Sequence, residues 1–240
     1  MKGAFTAGAL SVFYKKLGPD YFNVIYSDSV GVGGQAFYAA KEPNIMEDIW
    51  ANRVNGKKLI DFFNVFRGGP ILKLDYLLGL FKSESSKLKL DAMLKSKPEL
   101  FCIATDYSTK KPCIFNLKKG DTFAVMKATC AIPILYNQKV FIDGRRYIDG
   151  GLSIKKIYEL ILEHLEGDHF EEIVIIVNKK GLLHSDMPNM KILKPSAMPL
   201  WHSLDTNQER IKATIAQGKK DAEIFTSSFP TRAGLVRRQI

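Results

Sequence analysis

Ser29 is the strongest candidate for a nucleophile in this sequence. It follows a short apolar run, Phe22–Tyr26, that predicts a buried strand, and it precedes small residues that predict a helix through Ala40. A serine on a tight strand-to-helix turn exposes its hydroxyl beside helix N-terminal amides that can stabilise an oxyanion. Such a turn favours small residues two positions before and after the serine, and Ser27 and Gly31 occupy these positions. Serines also cap helices, so the pentapeptide alone leaves both interpretations open.

Asp149 is the candidate general base. It follows the apolar pair Tyr147-Ile148 and precedes Gly150-Gly151. A carboxylate at a strand end, beside glycines that let another loop approach, can accept a proton from a serine hydroxyl. Asp-Gly is also common in ordinary turns, which is the alternative interpretation. Asp143-Gly144, which lies between two short apolar runs, is predicted to be such a turn in a hairpin.

The rest of the chain alternates predicted helices and strands. The predicted helices are residues 4–17, 122–130, 154–165 and 204–225, and the further strands are residues 100–104, 113–117, 140–142, 147–148 and 172–177. Residues 41–99 are predicted to be mostly helical, with a break at residues 67–70. We therefore predict an α/β fold with a mixed, mainly parallel sheet, and a single domain over residues 1–240.

The composition favours a folded protein with anionic partners. Hydrophobic residues make up 46% of the chain, and 35 basic against 25 acidic residues give a net charge of +10. Net charge does not choose among nucleic acid, an anionic membrane and an acidic protein. The basic clusters lack interleaved aromatic motifs, so no specific nucleic-acid partner is predicted.

Cysteine and histidine spacing predicts neither a disulfide framework nor a metal site. Cys102, Cys113 and Cys130 form no metal-binding pair, which favours a reducing, cytoplasmic location, with a peripheral membrane position and export into another cell left open. The four histidines lack metal-ligand spacing, and we expect no metal or other cofactor. A later histidine would match the Ser-Asp-His order of α/β-hydrolases, but that fold places several strands before its elbow, so surface histidines are expected.

The apolar stretch Gly3–Tyr14 has two interpretations. Flanking lysines resemble those of a secretory signal, but apolar residues recur at helical spacing and the helix stop Leu17-Gly18-Pro19 follows at once. We therefore predict an amphipathic first helix. No apolar run approaches the roughly 20 residues that span a bilayer.

An ordered set of motifs resembles the bacterial patatin-like phospholipases. The motifs are residues 1–10, 27–31, 104–106, 128–133, 147–152 and 217–222. The resemblance implies a three-layer α/β/α fold and hydrolysis of lipid acyl esters through a Ser-Asp dyad and an acyl-enzyme, without a metal. It implies that Ser29 is the nucleophile and Asp149 the base, and that backbone amides around Lys2, Gly3 and Val30 hold the oxyanion.

Three features depart from the family pattern. The family's G-G-G-x-R-G loop is matched only by Met1-Lys2-Gly3, with Lys2 in place of arginine, and Ser27 replaces the elbow glycine. One hypothesis is that Met1 is an internal methionine and that the native protein extends roughly 10–25 residues upstream, enough for one strand and the glycine loop. The other is a catalytically impaired member that binds lipid or a partner as a scaffold.

Apolar residues between positions 62 and 81 also have two interpretations. They could line or cover an acyl channel, or pack as the apolar faces of amphipathic helices. These residues are Phe62, Phe63, Val65, Phe66, Leu77, Leu78 and Phe81.

Overall fold

The computed structural model describes residues 1–165, 173–176 and 190–229. The α-helices are α1 (Gly3–Lys16), α2 (Gly31–Ala39), α3 (Pro43–Asp48), α4 (Leu74–Lys82), α5 (Leu90–Leu94), α6 (Thr122–Thr129), α7 (Ile154–His164) and α8 (Gln208–Thr226). The strands are β1 (Val24–Asp28), β2 (Glu99–Asp106), β3 (Pro112–Asn116), β4 (Val140–Ile142), β5 (Arg145–Asp149), β6 (Ile173–Ile176) and β7 (Met190–Leu193). Ile49–Arg53 forms a π-helical turn, and Phe62–Arg67 and Gly150–Ser153 form 3-10 helices.

Strand β2 is the centre of the main sheet, and three strands pair with it. β3 pairs antiparallel with residues 101–105, β1 pairs parallel with residues 99–103, and β5 pairs antiparallel with residues 104–106. A strand has two edges, so β1 and β5 share the edge opposite β3 and lie end to end along it. Their C-terminal ends therefore meet beside Ile103 and Ala104.

Helices cover both faces of this sheet. On one face, the Cys102 thiol donates to Oε1 of Gln35 in α2. On the other face, the ring of Phe101 contacts that of His164 in α7, with the centroids 4.7 Å apart. The three-layer α/β/α arrangement is thus confirmed.

The sheets are mixed, as predicted, but they are not mainly parallel over the described residues. Two pairings are parallel (β1 with β2, β6 with β7) and three are antiparallel (β2 with β3, β2 with β5, β4 with β5). Two of the antiparallel pairings come from chain reversals before Pro112 and at Asp143-Gly144, and the third, β2 with β5, joins segments distant in the chain. Asp143 and Gly144 both have positive φ, 47° and 74°, as a tight hairpin turn requires.

The segment 41–99 contains less helix than predicted. Its helices are short, and loops rich in glycine, proline and lysine separate them. Strand β7 was not predicted, while the strand predicted at 172–177 is confirmed for β6, which pairs parallel with β7. The basic tail with Arg232, Arg237 and Arg238 lies outside the described residues.

Helix α1 is a core helix rather than an amphipathic one. Ten of its 14 residues are buried, so it is covered nearly all round. A Cβ at Gly8 would lie 2.2 Å from the carbonyl oxygen of Ile215, and one at Gly218 would lie 2.2 Å from that of Phe5. α1 and α8 therefore cross in direct backbone contact. In the described part of the chain, no helix is both long and apolar enough to cross a membrane.

We expect Gly218→Ala to lower the free energy of unfolding by about 1–3 kcal/mol, because the new methyl group must push the two helices apart. Gly79→Ala in α4 is the matched control, since no atom lies within 4 Å of a Cβ there. The control should gain up to about 1 kcal/mol from helix propensity. Urea denaturation measures both, and equal stability of the two variants would contradict the backbone contact.

Candidate active site

Ser29 occupies a strained turn between β1 and α2. Its φ of +47° lies in the left-handed region, which costs a residue with a side chain about 1–3 kcal/mol. Its backbone N–H donates to Oγ1 of Thr129 at 3.0 Å, and the Thr129 hydroxyl donates to the carbonyl oxygen of Ile103. The turn is thus fastened to β2 through the last residue of α6.

Asp149 accepts a hydrogen bond from the Ser29 hydroxyl. Ser29 Oγ donates to Asp149 Oδ2 at 2.6 Å, and the N–H of Gly151 donates to Oδ1 at 2.8 Å. The N–H of Asp149 donates to the carbonyl oxygen of Ala131 at 3.0 Å. Asp149 is 5% exposed and both of its carboxyl oxygens accept hydrogen bonds, so the orientation of the carboxyl group toward Ser29 is fixed.

The turn after β5 needs glycine because it lies against the backbone of β2, beside the end of β1. A Cβ at Gly150 would lie 2.2 Å from the carbonyl oxygen of Ile103 in β2 and 3.3 Å from Cβ of Asp28 in β1. A larger residue would push the end of β5 away from both strands. The distance between Ser29 and Asp149 therefore depends on this glycine.

The pKa of Asp149 is raised to about 7, mainly by burial. The negative charge of Asp28 also raises this pKa, whereas the hydrogen bonds from the Ser29 hydroxyl and the Gly151 N–H lower it. Burial also raises the pKa of Asp28, whose Oδ2 lies 3.5 Å from the position of a Cβ on Gly151. Two carboxyl groups thus share one poorly hydrated corner of the site, and near pH 7 Asp149 can both accept and release a proton.

Ser27 fits its position in the elbow. Its hydroxyl donates to Oε1 of Gln35 in α2, and a Cβ at Gly31 would be 3.5 Å from that of Ser27, an ordinary contact. Gln35 Nε2 donates in turn to the carbonyl oxygen of Ile25 at 2.7 Å. The serine that replaces the expected glycine is therefore accommodated by a polar partner.

The residues expected to hold an oxyanion lie at two adjoining helix N-termini. Lys2 and Gly3 begin α1, and Val30 and Gly31 begin α2. A Cβ at Gly3 would lie 3.0 Å from Cγ2 of Val30, so the two helix starts are in contact. The first N–H groups of a helix have no partner within it, and the helix dipole places partial positive charge there. Both helix starts can therefore stabilise a negative oxygen near Ser29.

A second serine–aspartate pair shows that a short hydrogen-bond distance alone does not identify a nucleophile and its base. Ser196 Oγ donates to Asp221 Oδ1 at 2.7 Å, and the Ser196 N–H donates to Oδ2 of the same carboxylate at 2.9 Å. This pair fastens a loop to α8, within the 217–222 motif. Ser29 differs because it lies on a left-handed turn at a helix N-terminus.

Sequence reasoning missed Asp28 and Thr129 as parts of the site. Asp28 lies within the elbow pentapeptide and Thr129 within a motif of the resemblance, but neither shows in sequence which group it meets. Of the histidines, His164 bonds through Nδ1 to the Tyr26 hydroxyl and His202 is exposed, while His169 and His184 lie outside the described residues. No group of three potential metal ligands occurs within the described ranges.

Comparison with known proteins gives two matches. The family model described as patatin-like phospholipase matches residues 1–156. The chain is also similar to the uncharacterized protein YjjU of Escherichia coli (strain K12), with 26% identity over 156 residues. That alignment covers 63% of this chain and 43% of YjjU, so the chain spans less than half the length of this relative.

Above pH 7, Asp149→Asn should have a higher free energy of unfolding than the parent. The expected difference is up to about 4 kcal/mol, because each pKa unit corresponds to about 1.4 kcal/mol. The folded state raises the pKa of Asp149 from 3.8 to about 7, so the folded chain loses stability as this group ionises between those values. Asparagine cannot ionise, and the difference should vanish below about pH 4. Urea titrations from pH 4 to 9 measure it, and a difference that does not change with pH would contradict the raised pKa.

Proposed function

The chain belongs to the patatin-like phospholipase family, and we propose that it is a serine hydrolase that cleaves fatty-acyl esters of lipids, including phospholipids, through a Ser29–Asp149 dyad. The observation that carries the proposal is the 2.6 Å hydrogen bond from the Ser29 hydroxyl to a buried carboxyl group, at the N-terminus of α2. Membership of the family supports lipid acyl hydrolysis as the reaction class. The roles of the individual residues are our proposal.

In the acylation step, the Asp149 carboxylate takes the proton of Ser29 as Oγ attacks the carbonyl carbon of the ester. The carbonyl oxygen becomes an oxyanion, which the N–H groups at the starts of α1 and α2 stabilise, with Gly3 and Val30 as the expected donors. The intermediate collapses when the bond to the alcohol oxygen breaks. Asp149 returns its proton to that oxygen, and the acyl group remains on Ser29.

In the deacylation step, water replaces the departed alcohol. Asp149 takes a proton from the water as its oxygen attacks the acyl carbonyl, and it then gives the proton to Ser29 Oγ as the acyl bond breaks. The fatty acid leaves and the dyad is restored. A base with a pKa of about 7 suits both directions of this proton transfer at neutral pH.

Ser29→Ala should abolish hydrolysis of a p-nitrophenyl acyl ester, with a loss of roughly 10³-fold or more, because no nucleophile remains. It should also prevent labelling by a fluorophosphonate probe. Ser196→Ala is the matched control: it removes a serine whose hydroxyl lies 2.7 Å from an aspartate oxygen, against 2.6 Å for Ser29, but outside any left-handed turn. The control should keep the activity and the labelling of the parent.

The opposite pattern would contradict the dyad. If the parent and Ser29→Ala hydrolyse the ester at the same background rate and neither is labelled, the chain is not a working hydrolase, and the scaffold hypothesis replaces the enzyme. Labelling that survives in Ser29→Ala would instead place the nucleophile at another residue.

Asp28→Asn should shift the acidic limb of the pH profile of kcat/KM to lower pH. The limb reports the ionisation of Asp149 in the free enzyme, and the negative charge of Asp28 raises that pKa. Removing this charge lets Asp149 ionise at lower pH. Asp91→Asn, on the exposed surface of α5, is the control and should leave the limb in place. If Asp28→Asn also leaves the limb in place, the charge of Asp28 does not affect the pKa of Asp149.

A further inference from the structure

Several large apolar side chains near the site face solvent instead of packing. Of the apolar residues between positions 62 and 81, Leu77, Leu78 and Phe81 of α4 are buried in the core, whereas those on the 3-10 helix Phe62–Arg67 are exposed. We call the following set the apolar rim: Phe62, Phe63, Val65, Phe66 and Ile134. Phe66 is 85% exposed and Ile134 is 88% exposed. Exposed apolar groups that cluster in this way mark interaction surfaces.

Polar contacts hold the aromatic half of the rim outward. The Asp61 carboxylate accepts the N–H of Phe63 at 3.2 Å and binds Nζ of Lys73 at 3.0 Å, so the base of the loop is fixed by a cap and an ion pair. Gly68, with a φ of +74°, ends the 3-10 helix. The backbone segment that carries the phenylalanines is therefore held in place by these contacts.

The other half of the rim shows backbone strain. Ile134 has a φ of +73°, which a β-branched residue rarely adopts. Strain of this kind persists only where the surrounding structure imposes it, and it clusters at functional sites. Hydrogen bonds join the two halves: Leu72 N–H donates to the carbonyl oxygen of Leu135 at 2.8 Å, and Asn137 donates to that of Gly68 at 3.4 Å.

The rim adjoins the candidate active site. Ile134 lies three residues after Ala131, whose carbonyl oxygen accepts the N–H of Asp149. On the other side of Asp149, three residues along the chain, Leu152 is 56% exposed. Exposed apolar side chains thus lie three residues along the chain from Asp149 and from the residue that accepts its backbone N–H.

The charge around the rim is positive. Residues 54–73 contain four basic side chains and one acidic side chain, Asp61, which Lys73 already pairs. The Lys57 ammonium lies 4.7 Å from the centre of the Phe63 ring. Exposed aromatic rings with nearby cations suit the interface of a bilayer, where the rings can contact acyl chains and the cations can contact anionic headgroups.

We propose that the apolar rim inserts into the surface of a lipid bilayer that carries anionic headgroups, so that the dyad faces the membrane. The choice of lipid rather than protein as the partner rests on the proposed function. The basic residues provide a salt-sensitive attraction, and the apolar rim provides a salt-insensitive one.

The test is flotation of the full chain with vesicles of phosphatidylcholine, alone or mixed with phosphatidylglycerol. The Ser29→Ala chain is used, so that binding is measured without lipid turnover. Phe66→Asp should weaken binding roughly tenfold or more, at low and at high salt, because it replaces an inserted ring with a charge. Ile224→Asp is the matched control, since Ile224 is 65% exposed on α8; it should bind like the parent.

A second measurement reports insertion directly. Phe66→Trp in a Trp201→Phe background places a tryptophan on the rim and removes the exposed one, while Trp50 stays buried. Its fluorescence should shift to the blue with vesicles and be quenched by lipids brominated on the acyl chains. Ile224→Trp in the same background should show neither change.

Three results would overturn the proposal: no vesicle binding by the parent, equal binding by Phe66→Asp, or self-association that Phe66→Asp abolishes, which would make the rim a contact between copies. Hydrolysis of a soluble short-chain ester separates this proposal from the proposed function. Phe66→Asp with Ser29 intact should keep that hydrolysis. If the parent lacks it but vesicle binding depends on Phe66, the surface proposal stands and the enzyme proposal fails.

Discussion

The shared edge of β2 is the constraint on which the site depends. β1 approaches along this edge in the direction of β2 and β5 approaches in the opposite direction, so both strands deliver their C-terminal ends to the same point. Ser29 directly follows one strand and Asp149 ends the other, although 120 positions separate them. Backbone hydrogen bonds to a single strand thus fix the distance between them. Side-chain packing then only has to set the angles.

Two local features of this arrangement are energetically unfavourable, and hydrogen bonds hold each of them in place. The left-handed backbone of Ser29 is held by the Thr129 hydroxyl, which also binds β2. The buried carboxyl group of Asp149 is held by the N–H of Gly151 and by the Ser29 hydroxyl, which offset part of the desolvation that raises its pKa. A fold under no functional demand has no reason to keep strain and a buried acid in contact. Their coincidence is therefore an argument for chemistry that neither feature supplies alone.

The local parts of this structure could be predicted from the sequence, because their signals are local. The strand, turn and helix around Ser29 and the hairpin at Asp143-Gly144 follow from periodicity and turn chemistry. The shared edge could not be predicted, because pairing partners leave no mark in a single sequence. The roles of Asp28 and Thr129 depend on that pairing and were missed with it. The antiparallel pairing of β5 with β2 was missed for the same reason, because it joins segments about 40 residues apart in the chain, whereas the antiparallel pair β4–β5 follows from its local turn.

One short segment links the chemistry of the site to its surface. Thr129 fastens the turn of Ser29, Ala131 accepts the backbone N–H of Asp149, and Ile134 stands exposed in a strained conformation, all within six residues. A contact at Ile134 therefore acts on the same backbone that orients the dyad. Because one loop carries both the backbone partner of Asp149 and the exposed Ile134, surface binding and hydrolysis must be measured separately in every variant of this segment.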